Sequence, residues 1–248
     1  MIPQVIKRKI GKVSIIDMNG SVTGLWTSRI SAQLERAFQH LDGNPAVLNL
    51  RHVTDVDTLG LKSIFQVTSS HENLSILSGS REVMDFFKCY SGNQSFQILK
   101  DEEDLVNVYG SALLEGSAVD DEHRGSIRLQ TALPVKFSYG YDLTGKECVG
   151  IVSNINEKGF YIEYIDILSV EASLTELNPY DIQTLDFTLS LSGGKSVSGS
   201  GKVLHWQLSQ DQFGIGVIIE EMNEEDVKRF SEFVKLQQES MIYHQKGR

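Results

Sequence analysis

Residues 47–65 of this chain, VLNLRHVTDVDTLGLKSIF, decide the fold of its first part. The segment begins with the apolar run VLNL, which is long enough only for a buried strand. Polar residues of a loop follow, and then Leu61, Ile64 and Phe65 recur at the spacing of one helix face. A strand, a loop and a helix in this order form the repeating unit of an α/β fold.

The same alternation extends to both sides of this segment. Two strands joined at Gly11 and an amphipathic helix precede it. Strands near residues 74–77 and 96–99 come after it, each followed by a helix. Because short strands that alternate with helices imply parallel pairing through crossover connections, residues 1–109 are predicted to form an α/β domain.

The alternation of strands and helices in the sequence ends after Tyr109. Residues 110–122, GSALLEGSAVDDE, combine small residues with an acidic run and show no sustained period, which indicates a linker. Beyond it come several short strands with alternating apolar residues, and the Ser-Gly-Gly at 192–194 is typical of a hairpin loop.

A closing helix follows the last of these strands. Asn223 is its predicted N-cap, with Asp226 three residues further on. Four apolar residues form one stripe along the helix: Val227, Phe230, Val234 and Met241. Several short strands and one helix predict, for residues 123–248, an all-β domain that is a small antiparallel barrel with a C-terminal helix.

Composition and charge narrow the classes of partner. The chain has 248 residues, 33 acidic against 23 basic, and a formal net charge of −10. This balance argues against nucleic acid as the main partner, because phosphate backbones require clustered lysine and arginine. No stretch approaches the roughly 18 apolar residues that a membrane span needs, and the start, MIPQVIKRKIGK, lacks a signal-peptide core. A cytoplasmic location is therefore expected, with Cys89 and Cys148 as reduced thiols.

Motifs of known catalytic and metal sites are absent from the sequence. There is no glycine-rich phosphate loop, no GxSxG and no HExxH, and the six histidines have no carboxylate or cysteine at metal-ligand spacing. Asp55 and Asp57 lie just before a helix, where capping by Asp57 is favoured over Mg²⁺ coordination. Neither an enzymatic activity nor a metal or cofactor is expected.

Thr58 lies at the predicted start of the helix that follows the VLNL strand. Free amide groups at a helix N-terminus favour an anion, and a phosphate there would add about −2 of charge to an exposed surface. This arrangement suits a phosphorylation switch that alters partner binding. The alternative is that Thr58 is only a helix-start residue in an interaction module.

Two further groups of residues predict a nucleotide site in the second part. Arg124 and Arg128 face the same side whether their segment is extended or helical, and guanidinium groups fit both phosphates and the guanine edge. Asn154 and Asn156 share one strand face, and Gly159 permits a tight turn or a close backbone approach. Alternatively, the arginines pair with the acidic run before them on a solvated face.

Residues 1–110 resemble the STAS family, the domain found in anti-sigma factor antagonists. The resemblance lies in the opening strands, Gly20 after IIDMN, the VLNL strand, the Asp-x-x-Gly-Leu loop and the LSILSGS strand. It implies a mixed sheet with helices and a protein partner bound through this domain. Phosphorylated members carry Ser or Thr directly after the Asp, which maps onto Thr58. The family usually has a second small hydroxyl residue next, where this chain has Leu59.

The segment from about residue 122 to residue 240 closely resembles the PilZ family of cyclic-di-GMP receptors. The resemblance lies in RGSIRLQTALPVKF followed by SNINEKGFYIE, and it extends to GKVLHW, FGIGVII and the final helix. It implies a barrel in which the two arginines bind the phosphates and guanines of cyclic-di-GMP. An [Asp/Asn]-x-Ser-x-x-Gly motif completes the family's site. Asn154 and Gly159 match this motif, and Asn156 stands where the family prefers Ser. Trp206 is expected in the core rather than as a stacking surface.

Together the two resemblances imply a bacterial signalling adaptor in the cytoplasm. It would bind cyclic-di-GMP through the PilZ domain and relay this signal to a protein partner through the STAS domain. The alternative is a partner-switching regulator, similar to anti-sigma factor antagonists, that is controlled by phosphorylation of Thr58 and has a PilZ domain that binds no nucleotide. Neither nucleic acid binding nor membrane insertion is expected, and a homodimer is left open.

Overall fold

The computed structural model divides into two compact units, Met1–Ala112 and Leu113–Arg248. The residues that it describes are 2–39, 41, 43–90, 96–114, 129–139, 146–163, 183–208 and 213–246. Of the helices within these ranges, none is both long enough and apolar enough to cross a bilayer.

The first unit contains a five-stranded sheet whose strands lie side by side in chain order. The strands are β1 (Gln4–Ile10), β2 (Val13–Val22), β3 (Ala46–Val56), β4 (Leu74–Leu77) and β5 (Gln97–Leu99). β1 pairs antiparallel with β2, whereas the other neighbours pair parallel. The mixed sheet implied by the sequence is therefore confirmed.

β3 is longer than the sequence pattern indicates. The apolar run that predicts this strand ends at Leu50, yet β3 spans 11 residues and includes part of the predicted loop. Its second half contains His52, Val53 and Val56, which pair in register with residues of β2. The pairing partner extends the strand here, because the polar side chains of this half carry no strand pattern of their own.

Four helices flank the sheet: α1 (Thr27–Phe38), α2 (Thr58–Thr68), α3 (Arg81–Tyr90) and α4 (Glu102–Leu114). Apolar residues of α1, α2 and α3 pack against one sheet face in a core that includes Ile30, Ile64 and Phe87. The Tyr109 hydroxyl of α4 lies 2.6 Å from Oγ of Ser75, and Ser75 alternates with the core residue Ile76. α4 therefore covers the opposite face.

This opposite face carries a chain of buried charged and polar side chains. Arg8 Nε donates to Oδ2 of Asp17 at 2.6 Å, and Asn49 Nδ2 donates to the other Asp17 oxygen at 2.8 Å. Arg51 Nε donates to Oδ1 of Asn49 at 3.2 Å, and Nη1 of Arg51 forms an ion pair with Glu102 of α4 at 2.8 Å. Three strands and α4 are thus linked by one polar network.

The second unit is built on six strands: β6 (Leu129–Tyr139), β7 (Lys146–Asn156), β8 (Gly159–Glu163), β9 (Thr184–Leu191), β10 (Lys195–Leu208) and β11 (Phe213–Met222). They pair antiparallel and close into a barrel in the order β10-β11-β8-β7-β6-β9. Gly193 and Gly194 turn the β9–β10 hairpin with φ angles of 80° and 72°, a region that favours glycine. The predicted antiparallel barrel is confirmed.

The C-terminal helix α5 (Glu224–Lys246) begins where the sequence predicts. Asn223 Oδ1 accepts from the backbone N–H of Asp226 at 2.8 Å, and Asn223 Nδ2 donates to the Asp226 carboxylate at 2.8 Å. The same carboxylate accepts from the backbone N–H of Ser198 in β10 at 3.2 Å. This shared acceptor fixes the first turn of α5 against the barrel.

The buried face of α5 differs from the predicted stripe. Phe230 and Val234 are buried in the barrel core as expected, but Val227 is 47% exposed and Phe233 is buried instead. The buried Asp226 carboxylate accepts a hydrogen bond from the barrel backbone, so the helix side that carries Asp226, and not the one that carries Val227, faces the core. The Met241 side chain lies outside the described residues.

The segment predicted as a linker, residues 110–122, begins inside a helix. α4 continues to Leu114, and the backbone N–H of Lys12 donates to the Ala112 carbonyl at 2.8 Å. Alanine and leucine have high helix propensity, which continues the helix even though the apolar period is lost. The rest of the segment, together with Arg124 and Arg128, lies outside the described residues.

Candidate functional site

An open cleft of about 350 Å³ lies on the barrel surface and brings together three predicted site residues. Asn154, Asn156 and Gly159 line it from the β7–β8 hairpin. His205 and Tyr161 line it from β10 and β8. The residues predicted from the hairpin motif therefore share one concave surface with two aromatic side chains that belong to no motif in the sequence.

Asn156 shapes the hairpin through its side chain. Its Oδ1 accepts from the backbone N–H of Lys158 at 2.8 Å and from that of Gly159 at 2.9 Å. An asparagine that binds backbone amides two and three residues on is typical of a tight polar turn. The side-chain oxygen of Asn156 is therefore committed to the turn, while the residue still lines the cleft.

Asn154 differs from Asn156 in its surroundings. Its carboxamide has no hydrogen-bond partner among the residues that the structure describes, and it lines the cleft. Val152 pairs with Ile162 and Asn154 with Tyr161, so Ser153 is an extra residue in the strand. Such a bulge re-aims the side chains beside it. A donor and an acceptor are thus available on Asn154 at the cleft.

Gly159 has a structural role that does not depend on any ligand. A Cβ atom built on this residue would lie 2.1 Å from the carbonyl oxygen of Val217 in β11. No side chain fits at this distance, so glycine is required for the backbones of β8 and β11 to approach. Of the tight turn and the close backbone approach that the sequence allows at Gly159, the structure shows a close approach, and the neighbouring backbone belongs to the barrel itself.

Tyr161 and His205 form an aromatic pair across the strand that separates them. Both pair in register with Gly216 of β11, and their rings lie 5.7 Å apart with an angle of 18° between planes. The Tyr161 hydroxyl donates to Oε1 of Gln207 at 3.0 Å. Burial, together with the charge of Glu163, raises the pKa of Tyr161 to about 12, so the phenol stays neutral at physiological pH.

This pair was missed because it depends on the register of three strands that are distant in sequence. The signal that could have found it is the alternation of glycines in FGIGVII, which leaves space for large side chains of neighbouring strands. Trp206, the next residue along from His205, packs against the barrel core, as predicted.

The start of α2 holds Thr58 on the surface of the first unit. Thr58 is the first residue of α2 and is exposed. Asp57 is the N-cap, as predicted. Oδ1 of Asp57 accepts from the backbone N–H of Gly60 at 2.7 Å, and Oδ2 of Asp57 accepts from the backbone N–H of Gly24 at 2.9 Å. One carboxylate thus joins the helix start to the turn after β2.

Two exposed leucines lie near the start of α2. Leu59 is 61% exposed and Leu25 is 92% exposed. A Cβ atom at Gly24 would lie 3.0 Å from Cδ1 of Leu59, so the turn that carries Leu25 lies against the helix start. The helix start that carries Thr58 therefore also carries exposed apolar side chains. Within the described residues, no three His, Cys, Asp or Glu side chains gather as a metal site requires.

Replacing Asp57 with alanine is expected to lower the melting temperature of the intact protein above pH 4. Hydrogen bonds from Gly24 and Gly60 lower the pKa of Asp57 below its ordinary value of 3.8. The carboxylate therefore stabilises the fold above that value, and the effect is lost as the pH falls through the folded-state pKa. Calorimetry of wild type and variant from pH 7 to pH 3 should show the two melting temperatures converge at low pH. Asp55→Ala is the matched control, since Asp55 is exposed and lies outside the cap of α2, and an equal effect in it would contradict the assignment.

No family model and no curated protein matches the chain. Similar solved structures include an anti-sigma factor antagonist from Mycobacterium paratuberculosis, 12% identical over 43% of this chain and 92% of that one, with a TM-score of 0.36. They also include the PilZ domain with c-di-GMP of YcgR from Escherichia coli, 7% identical over 50% of this chain and 99% of that one, with a TM-score of 0.34. The Bacillus subtilis inhibitor of motility MotI/DgrA is 13% identical over 48% of this chain, with a TM-score of 0.36, and the chain spans 53% of its length. The similar structures therefore include anti-sigma factor antagonists and PilZ domains, which match different halves of the chain.

Proposed function

We propose that this chain is a cytoplasmic bacterial signalling adaptor and not an enzyme. The barrel binds cyclic-di-GMP through Arg124, Arg128, Asn154, Asn156 and Gly159, and the first unit passes the signal to a protein partner. Binding changes the partner-facing surface because the ligand prefers one arrangement of the chain over another.

The observation that carries this proposal is the register of β6 against β7. Leu129 pairs with Ile155 and Gln130 with Asn154, so β6 begins beside the polar residues of the cleft. Arg128 is bonded directly to Leu129, and an extended chain advances at most about 3.6 Å per residue, which keeps Arg124 within about 18 Å of Leu129. The two arginines of the proposed site therefore come directly before this strand in the sequence.

The chemistry of these residues is complementary to an anionic guanine nucleotide. Guanidinium groups bind phosphates and the O6/N7 edge of guanine in two-pronged geometry. The Asn154 carboxamide adds a donor and an acceptor, and Lys158 adds a cation at the cleft. This local positive charge supports binding of a small anion in a chain whose net charge is −10.

Replacing both Arg124 and Arg128 with alanine is expected to weaken cyclic-di-GMP binding by at least about 100-fold, because charge-assisted hydrogen bonds are lost. Isothermal titration of the intact protein at physiological salt measures this. Arg81→Ala is the control, since Arg81 is 93% exposed on α3 of the other unit. Absence of saturable binding by wild type, or wild-type affinity in the double variant, would refute the proposal.

A second candidate is a partner switch controlled by phosphorylation of Thr58. The exposed Thr58, at a helix start that also carries the exposed Leu59, favours it, because a phosphate there would add charge beside an apolar side chain. Incubation with serine/threonine kinases followed by mass spectrometry tests it, with Thr58→Ala as the control. Phosphate on Thr58 that alters partner binding, without any effect of nucleotide, would favour this candidate over the first.

A further inference from the structure

The cleft contains more than the polar residues of the proposed nucleotide site. His205 is exposed along one of its walls, next to Tyr161, which is only 8% exposed. Their near-parallel rings lie on either side of Gly216, which has no side chain to separate them. A flat aromatic surface therefore borders the polar hairpin.

Two glycines make this surface flat. A Cβ atom at Gly216 would lie 2.2 Å from Cε1 of the His205 ring, and one at Gly214 would lie 2.3 Å from the Tyr161 hydroxyl oxygen. The rings therefore lie down on the backbone of β11 instead of standing away from the sheet. In this position the His205 ring is exposed, whereas the Tyr161 ring beside it is buried.

The strand that carries His205 is irregular at this point. Val203 pairs with Val217 and His205 with Gly216, so Leu204 is an extra residue in β10. Both Leu204 and His205 are exposed as a result, and both line the cleft. A bulge changes the direction of the side chains beside it, and here it turns Leu204 and His205 toward the cleft.

We propose that the His205 ring, backed by Tyr161, is a stacking surface for a purine base of the ligand in this cleft. The inference rests on the proposed function and adds a specificity-determining residue to it. Every base has a π-face, and planar side chains are the partners on which bases stack. The hairpin and the arginines then hold the polar edges and phosphates, while His205 holds the base by its face.

The test compares side chains that cover Gly216 equally but differ in planarity. His205→Leu keeps apolar cover without a ring, whereas His205→Phe keeps the ring. In titrations of the intact protein, His205→Leu is expected to weaken cyclic-di-GMP binding about tenfold, while His205→Phe stays within about threefold of wild type. Because stacking is not ionic, the loss should change little between low and high salt, unlike the loss in the arginine variant.

A spectroscopic readout separates stacking from structural support. Ring currents should shift the guanine H8 resonance upfield on binding to wild type and to His205→Phe, and the shift should shrink in His205→Leu. If His205→Leu binds cyclic-di-GMP with the affinity of wild type and shows the same H8 shift, the inference is overturned and the proposed function still stands. Failure of wild type to bind cyclic-di-GMP would overturn both.

Discussion

Replacement of Asp17 by alanine is expected to destabilise the first unit by about 3–5 kcal/mol. Asp17 is 4% exposed, and its two oxygens accept from Arg8 and from Asn49. Removing the carboxylate takes one acceptor from a charged guanidinium and one from a buried amide, which is the costly way to break a buried pair. The disturbance also reaches Arg51, since Arg51 is bound to Asn49.

Hydrogen exchange of the intact protein in increasing urea measures this effect, because peptides of the barrel provide an internal reference. Asp85→Ala is the matched control: Asp85 and Arg81 form an exposed ion pair at 3.7 Å in the same unit. Exposed pairs contribute roughly 0–1 kcal/mol. Similar losses in both variants would show that the buried network adds nothing beyond surface electrostatics.

The second large effect is expected from Gly159→Ala in the barrel. The added Cβ would lie 2.1 Å from the carbonyl oxygen of Val217, so β8 and β11 must separate locally. Forced overpacking typically costs about 1–3 kcal/mol, and a clash with backbone lies at or above the upper end. Urea unfolding followed at barrel peptides is the measurement. A fully stable variant would show that β11 moves away without cost.

Gly110→Ala is the control, because a Cβ atom added at this position of α4 would meet none of the described residues within 4 Å. It should be neutral or slightly stabilising, as alanine is the better helix former. Loss of nucleotide binding in Gly159→Ala cannot by itself assign Gly159 to the ligand. Asn154→Ala is the cleaner probe of the cleft, since the Asn154 carboxamide binds none of the residues that the structure describes.

Much of the fold could be predicted because its signals are local. The bounds of β4 agree with the predicted strand, and the caps Asp57 and Asn223 lie where their sequence spacing indicates. The second half of β3 could not be predicted, because its strand conformation comes from pairing with β2. The predicted buried face of α5 is wrong at Val227, because the backbone N–H of Ser198 in the barrel donates to Asp226 and so places Asp226 on the buried side.

The candidate site was predictable in part for a similar reason. Asn154, Asn156 and Gly159 belong to one hairpin, so their spacing in sequence is nearly their spacing in the structure. The pair of Tyr161 and His205 comes from two strands separated by β11, and only the barrel register aligns them. The exposure of Leu25 could not be predicted, because a single exposed leucine next to a helix start produces no periodic pattern in the sequence.

The two outer strands of the five-stranded sheet bear on how this chain associates with itself. β1 and β5 are the edges, and an uncovered edge offers unpaired backbone groups to another copy. β1 carries Lys7 and Lys9, whose charges repel a second identical edge, and β5 is only 3 residues long. The six described strands of the barrel close on one another and leave no edge among them. Growth of a continuous sheet from copy to copy through these described strands is therefore opposed, which favours side-chain contacts over strand pairing in any homodimer of this protein.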